Sequence, residues 1–277
     1  MIVQRQIAQY QAARCQIKKM LVSLVAFFTL FSGSVMAQSA TEKGLAIARE
    51  ADKRDSGWKD SSADMKMILR NKRGDKSVRI LRIKGFEMQD DGNKSMTIFD
   101  QPADVRGTAL LTYAHKVDDD DQWLYLPALK RVKRIASKNK SGPFMGSEFS
   151  FEDLAGAEVE KYTYKYLRDE KCGDLMCFVV ESYPVDKNSG YTRQVAWIDQ
   201  KEYRTHKVEF YDRKKSLLKT LKMYMYKKYK NKFWRAHKNV MVNHQTGKST
   251  DLIMANFRFM TGLEEKDFSK NSLKRAR

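Results

Sequence analysis

The 277-residue chain holds three cysteines, four prolines, four histidines and a single long apolar run, and each shortage excludes something. Cys15 lies near the N-terminus, so Cys172 and Cys177 in "EKCGDLMCFVV" are the only cysteines in the body of the chain. Two cysteines alone cannot make a structural zinc site, and the spacing is not the C-x-x-C of a redox motif. In an oxidising compartment a pair this close reads as a disulfide, with Gly173 and Asp174 supplying the turn between them. The histidines (His115, His206, His237, His244) lack H-E-x-x-H spacing, and no G-x-S-x-G elbow exists. Gly247-Lys248-Ser249 would need a glycine at position 242 to be a phosphate loop, and that residue is Val242. The acids Asp118–Asp121 lack the spaced ligands and central glycine of a calcium hand, and read as a solvated hairpin tip. No catalytic residue, no metal and no cofactor is expected, and the chain does not read as an enzyme. The scarcity of proline and the lack of any Gly/Ser-rich stretch leave no linker, so residues 38–277 read as one domain.

Acids are also in short supply, 34 against 53 lysines and arginines, for a net charge of +19. The apolar run "MLVSLVAFFTLFSGS" follows Lys18 and Lys19 and leads into "VMA" ending at Ala37. Charged start, short apolar stretch and small-residue cleavage site describe a cleaved signal peptide over residues 1–37. An uncleaved anchor is the rival reading, although the run falls short of the about 20 residues a spanning helix needs. Cleavage removes Arg5, Arg14, Lys18 and Lys19 and no acid, which lowers +19 to +15. A basic chain often binds nucleic acid, but an exported one in the periplasm meets phospholipid headgroups, lipopolysaccharide and acidic protein surfaces instead.

What is present in abundance is alternation. "ADMKMILR" puts Met65, Met67 and Leu69 on one face, "KYTYKYL" stacks Tyr162, Tyr164 and Tyr166, and "RTHKVEFYD" sets Val208 and Phe210 opposite Lys207 and Glu209. Polar turn clusters such as Asn71–Asp75 and Asp212–Ser216 separate such runs, which predicts an antiparallel meander of about ten strands curling into a barrel or half-barrel. "TEKGLAIAREADKRD" reads as a helix with Thr41 as its cap, and "GLEEKDFSKNSLKRAR" as a short C-terminal helix or frayed tail. Basic stretches at 130–140 and 213–238 carry no acid; each is a solvated face or a surface for an anionic partner.

One stretch fits none of this. "GPFMGSEFSFEDL", residues 142–154, sets Phe144, Met145, Phe149 and Phe151 among glycines, serines and acids. It is a core plug, a lid over a ligand or an active-site loop. Ser150 and Asp153 have capping-box spacing, so a helical turn should begin at Phe151.

The block "QWLYLPALKRVKRIASKNKSGPFMGSEFSFEDL" (122–154) resembles the outer-membrane lipoprotein-sorting protein family, relatives of the periplasmic carrier LolA. More loosely, the resemblance runs from about Trp58 through "TGKSTDLIMANFRF" to the C-terminus. It implies a mainly β, half-open antiparallel barrel of ten to eleven strands, with helices covering the open side and an apolar cavity for acyl chains. It also implies a lipid or lipidated-protein cargo and an inner-membrane exporter of the resistance-nodulation-division class as partner. An arginine that helps hold a lid shut in such carriers matches no motif here. On this reading Trp58, Met65, Met67, Trp123, Tyr125, Phe144, Met145, Phe149 and Phe151 are the candidates for the cavity and its rim, with ordinary core packing as the competing role of each. Methionines suit a site that must re-pack around different cargo. Lys130, Arg131, Lys133 and Arg134 are the candidates for docking on an acidic partner or anionic membrane. The alternatives are an accessory subunit of an exporter that carries no cargo, and a periplasmic polyanion binder.

Overall fold

The computed structural model describes residues 38–156 and 158–276, so the expected signal peptide lies outside the described residues. No helix among the described residues is long and apolar enough to cross a membrane. One helix, α1 (Ala40–Asp55), precedes six strands: β1 (Asp60–Arg70), β2 (Lys76–Phe86), β3 (Lys94–Gln101), β4 (Ala109–Tyr113), β5 (Asp121–Leu126) and β6 (Arg131–Ile135). Residues 136–161 then cross to β7 (Tyr162–Cys172), β8 (Leu175–Pro184), β9 (Tyr191–Asp199) and β10 (Thr205–Asp212). β11 (Leu217–Tyr229), β12 (Phe233–Asn243), β13 (Ser249–Phe259) and helix α2 (Lys270–Arg275) complete the chain.

All thirteen strands belong to one antiparallel sheet, ordered β6-β5-β4-β3-β2-β1-β13-β12-β11-β10-β9-β8-β7. The chain winds from the centre to one edge, jumps to the other edge, and winds back until β13 pairs with β1. There Met65 faces Met254 and Met67 faces Leu252. Strong curling follows from one short segment. Gln122 on β5 bonds the Phe151 carbonyl, while Tyr191 on β9 bonds the Asp153 carboxylate. In a flat sheet those strands would stand roughly 43 Å apart at the usual strand spacing. Residues 151–153 cannot span that distance, so the two halves of the sheet face each other across a concave interior.

The predicted alternation is realised. Met65, Met67, Leu81, Phe99, Leu110, Leu124, Val208, Phe210, Leu221, Met241 and Leu252 form one buried cluster lining that interior. Pairing registers carry the same face through Ala196 and Val180 to Tyr166, Tyr164 and Tyr162. The count of strands exceeds the ten to eleven expected, because β4, β5 and β6 have 5, 6 and 5 residues. Strands that short carry too few positions to show a period. Among the described residues no pairing joins edge strands β6 and β7, so the half-barrel is an open sheet.

Helix α1 is capped by Ser39 rather than Thr41: the Ser39 hydroxyl accepts from Glu42 N–H while the Glu42 carboxylate accepts from Ser39 N–H. It lies against β7 so closely that a Cβ at Gly44 would sit 2.8 Å from the Tyr166 backbone nitrogen. Its Ile47 packs with Val180 and Ile198 on the inner face. Helix α2 takes the opposite face, where Phe268 and Leu273 close over Met96, Ile98, Ala109, Leu111 and Trp123. Among the described residues only α1 covers the interior as a helix; the rest of the cover is the described part of the 136–161 crossing, whose helical pieces are single 3-10 turns. A disulfide joins Cys172 and Cys177 across the β7–β8 turn, with Cα atoms 5.9 Å apart.

Candidate functional site

The 142–154 stretch lies in the mouth of the curled sheet, with its phenylalanines pointing in. Phe144 is 0% exposed and Phe149 5%, and Met145 and Phe151 pack partly buried beside them against the inner cluster. The Phe144 ring centroid lies 5.6 Å from that of Phe99 below and 5.6 Å edge-on from Phe151. Local bonding makes the stretch a tight loop. Phe144 N–H donates to the Phe149 carbonyl (2.7 Å), Phe151 N–H to Gly142 (3.1 Å), and the Ser147 hydroxyl to Phe144 (2.8 Å). The tip turns through Met145 at φ +49° and Gly146 at φ +76°, the latter a conformation a side chain would strain. The reciprocal Ser150–Asp153 contacts are present, Ser150 N–H donating to the Asp153 carboxylate (2.7 Å) and Asp153 N–H to the Ser150 hydroxyl (3.4 Å), and the turn is a 3-10 turn at Glu152–Leu154, one residue later than expected.

Polar groups latch this apolar loop to the sheet. Lys219, 4% exposed on β11, pairs with Asp153, 6% exposed, at 2.6 Å and donates to the Glu148 carbonyl at 2.9 Å. The second Asp153 oxygen accepts from the Tyr191 hydroxyl at 2.7 Å. Asn243 on β12 donates to the Glu148 carboxylate (2.7 Å), and Glu148 N–H donates to the Thr250 hydroxyl on β13 (3.0 Å). Arg79 on β2 donates to the Met145 carbonyl at the tip. Burial lowers the pKa of Arg79, with only the charge of Asp104 opposing it. Burial likewise pushes the Tyr191 phenol well above its usual value, and the charges of Asp153 and Glu152 add to the shift. Glu152 is raised by burial, against hydrogen bonds from Gly190 N–H and the Ser189 hydroxyl. The roots of the crossing are pinned separately, by the ion pairs Lys140–Asp186 and Lys161–Asp120.

The nine apolar candidates do not converge. Met65, Met67, Phe144, Met145, Phe149 and Phe151 meet in the interior. Trp123 and Tyr125 alternate to the outer face under α2, with Lys270 4.5 Å over the Trp123 ring. Trp58 is half-buried, its ring against Gly85 at the end of β2 on the parity of Leu81 and Ile83, outside the buried cluster. Lys130, Arg131, Lys133 and Arg134 are all exposed but divided: register puts Arg131 and Lys133 on the inner side of edge strand β6, while Arg134 pairs with Asp121. Charges along a sheet edge also discourage further strand pairing. Sequence reasoning missed Arg79 and Lys219, and read Asp153 only as the partner of Ser150 in a capping box. Lys219 had a signal, since alternation with Leu221 places a lysine on an apolar face. Among the described residues, no group of histidine, cysteine, aspartate and glutamate could hold a metal ion.

An open half-barrel whose concave apolar face is closed by one latched loop is the class of architecture this geometry defines. Comparison with known proteins narrows it. A Vibrio parahaemolyticus domain described as an outer membrane lipoprotein-sorting protein domain is 60% identical over 85% of this chain and 100% of its own, with a TM-score of 0.84. A DUF1329 family protein from Desulfovibrio piger is 28% identical, covering 85% of this chain and 99% of that one, with a TM-score of 0.81. A LolA superfamily protein from Nitrosomonas europaea shares the fold at 20% identity and a TM-score of 0.67, over 85% of this chain and 100% of that one. Residues 91–275 match a family model described as that of an uncharacterized protein. Among curated proteins none matches. The chain belongs to the outer membrane lipoprotein-sorting protein family, within the LolA-like fold.

Proposed function

We propose that this protein is a periplasmic carrier that takes a lipid, or the acyl chains of a lipidated protein, into the concave face and hands it on without catalysis. One observation carries the reading: the apolar interior is closed by a loop whose hold depends on buried polar contacts. A segment meant only to complete a core needs no buried lysine–aspartate pair, since apolar residues of similar volume fill such a place as well or better. A segment that must leave and return gains from a latch that water can satisfy when open.

The energetics favour the same reading. Each buried methylene contributes about 0.8 kcal/mol, so a sixteen-carbon chain fully enclosed could approach ~12 kcal/mol. A carrier that tight would not release. Refilling the interior with Phe144 and Phe149, each contributing about 1.5–3 kcal/mol on burial, offsets part of the loss when cargo departs. Family membership, the basic surplus and the signal-like N-terminus agree with a periplasmic site of action. An exporter of the resistance-nodulation-division class as donor or acceptor, and the exposed basic β6 region as a contact for an anionic membrane, belong to this proposal.

Native mass spectrometry of protein purified without detergent, followed by organic extraction, tests it. Stoichiometric lipid or acylated polypeptide is the expected result. An empty protein that also fails to bind a fluorescent fatty acid would overturn the reading. Phe144→Ser with Phe149→Ser should alter cargo retention more than unfolding free energy; equal loss of both would make these residues plain core.

A further inference from the structure

Away from the loop, the concave side keeps an open cavity of about 490 Å³ between the end of α1, the β9–β10 turn and the β11–β12 hairpin. Such a volume is in the range of small-molecule sites. Its walls are Met223, Tyr226, Tyr203 and Trp234. Met223 also packs against the main inner cluster, so the apolar floor runs on toward the region beneath the loop.

The rim is cationic. Arg54, Arg204, Lys228 and Lys232 line it, against two carboxylates, Asp55 and Glu202, that already have partners. Asp55 pairs with Arg235, and Glu202 accepts from the Trp234 indole at 3.0 Å. Arg204 is held in one orientation: its Nε donates to the buried Asp199 at 2.7 Å while its plane lies 4.4 Å over Trp234 and 5.3 Å over Tyr226. Among the described residues neither terminal nitrogen of that guanidinium makes a hydrogen bond, and the side chain is 15% exposed. Lys228 has its nearest carboxylate, Glu202, at 3.9 Å, and Lys232 donates to the Ser56 carbonyl at 2.5 Å but, among the described residues, pairs with no carboxylate. An oriented guanidinium whose two terminal nitrogens have no protein partner, flanked by weakly committed lysines, is a receptor for a phosphoryl or other oxyanion.

We propose that this cavity binds the phosphate of an anionic amphiphile, with the apolar part lying on Met223 and Tyr226 toward the interior. This deepens the carrier reading and rests on it, by naming the headgroup chemistry of the cargo. Arg54 is already held by Glu50 and the Lys201 carbonyl, but a purely apolar ligand would leave Arg204, Lys228 and Lys232 without an anionic partner, and a free anion would leave the aromatic walls unused.

The test is calorimetric titration with short-chain phosphatidylglycerol, with a neutral diacylglycerol of the same chain length, and with inorganic phosphate. Wild type should prefer the anionic lipid by about tenfold or more, the scale of one or two charge-assisted hydrogen bonds. Lys228→Gln with Lys232→Gln, both exposed, should weaken that lipid about tenfold and leave the neutral one unchanged. Arg204→Lys, which keeps the charge beside Asp199 but loses the fork, should do the same. Equal affinity for the two lipids, or variants without effect, overturns the proposal while leaving a carrier of neutral chains standing. Saturation of the site by inorganic phosphate at similar affinity would make it a free-anion site and overturn the amphiphile. Failure of both lipids to bind, with phosphate also silent, would remove the carrier reading as well.

Discussion

Asp153→Asn tests the latch directly. Asp153 and Lys219 are 6% and 4% exposed and 2.6 Å apart. Removing the charge of one member leaves the other buried without compensation, which costs about 3–5 kcal/mol. Asparagine keeps one acceptor for Ser150 N–H or the Tyr191 hydroxyl, so the lower end, about 3 kcal/mol, applies. At 1.36 kcal/mol per decade this is a roughly 150-fold change in the ratio of closed to open loop. If only the open form admits cargo, apparent affinity is the intrinsic affinity scaled by the open fraction. The variant should therefore bind a fluorescent fatty acid more tightly, by up to that factor, while amides of residues 142–154 exchange faster and those of β1 and β13 do not. Uniformly faster exchange with unchanged probe affinity would refute the latch and make the pair a plain core ion pair.

Three further outcomes follow from other parts of the fold. Leu273→Ala, at a site with 0% exposure, should cost about 2–5 kcal/mol locally by freeing α2, and uncover Trp123 to a red-shifted, quenchable fluorescence; an unmoved spectrum would contradict the outer-face packing. Opening the Cys172–Cys177 ring in a Cys172→Ala, Cys177→Ala variant should lower unfolding free energy by about 2 kcal/mol in chemical denaturation, because the closed loop is so short. The His115–Asp91 contact, 2.6 Å, should be strongest in mild acid. Burial works to lower the His115 pKa, but the hydrogen bond and charge of Asp91 and then Asp121 outweigh it and raise it above 6.5. Its contribution is full below 6.5 and fades as pH rises through the folded value. Asp91 is lowered to about 2 by the Lys116 N–H and then His115, so its part is full above 3.8 and fades toward 2. The thermal-midpoint gap between wild type and His115→Gln should peak between those limits; a gap growing above pH 8 would contradict it.

Sequence legibility followed period and length. β1, with Met65 and Met67, and β10, with Val208 and Phe210, were readable because one face of each is buried against a common interior. β6 was legible as a basic strand but not in which way it faces, since three of its five side chains are exposed and only Val132 and Ile135 pack, one on each face. The cap of α1 moved by two residues because both Ser39 and Thr41 have suitable hydroxyls, and only the reciprocal Glu42 contact separates them. Trp123 and Tyr125 were grouped with Phe144 by composition, yet strand parity sends them outward. Arg79 and Lys219 escaped because a cation on an apolar face has meaning only once its partner, 66 and 71 residues away respectively, is known to fold over it.

The two cationic features of the interior differ in a way that bears on how cargo would move. Lys219 is fully committed when the loop is closed, to Asp153 and the Glu148 carbonyl. Arg204 is committed through Nε, and among the described residues its terminal nitrogens make no hydrogen bond in the same state. An anionic headgroup can therefore bind at Arg204 before the loop opens, whereas Lys219 becomes available only afterwards. Headgroup capture first and chain burial second is then the order the geometry permits, with Phe144 and Phe149 leaving as the chain enters. In stopped-flow mixing, binding of the anionic lipid should show a fast, concentration-dependent phase and a slower one that Asp153→Asn accelerates. A single phase whose rate is unaffected by Asp153→Asn would mean that headgroup and chain enter together without the loop.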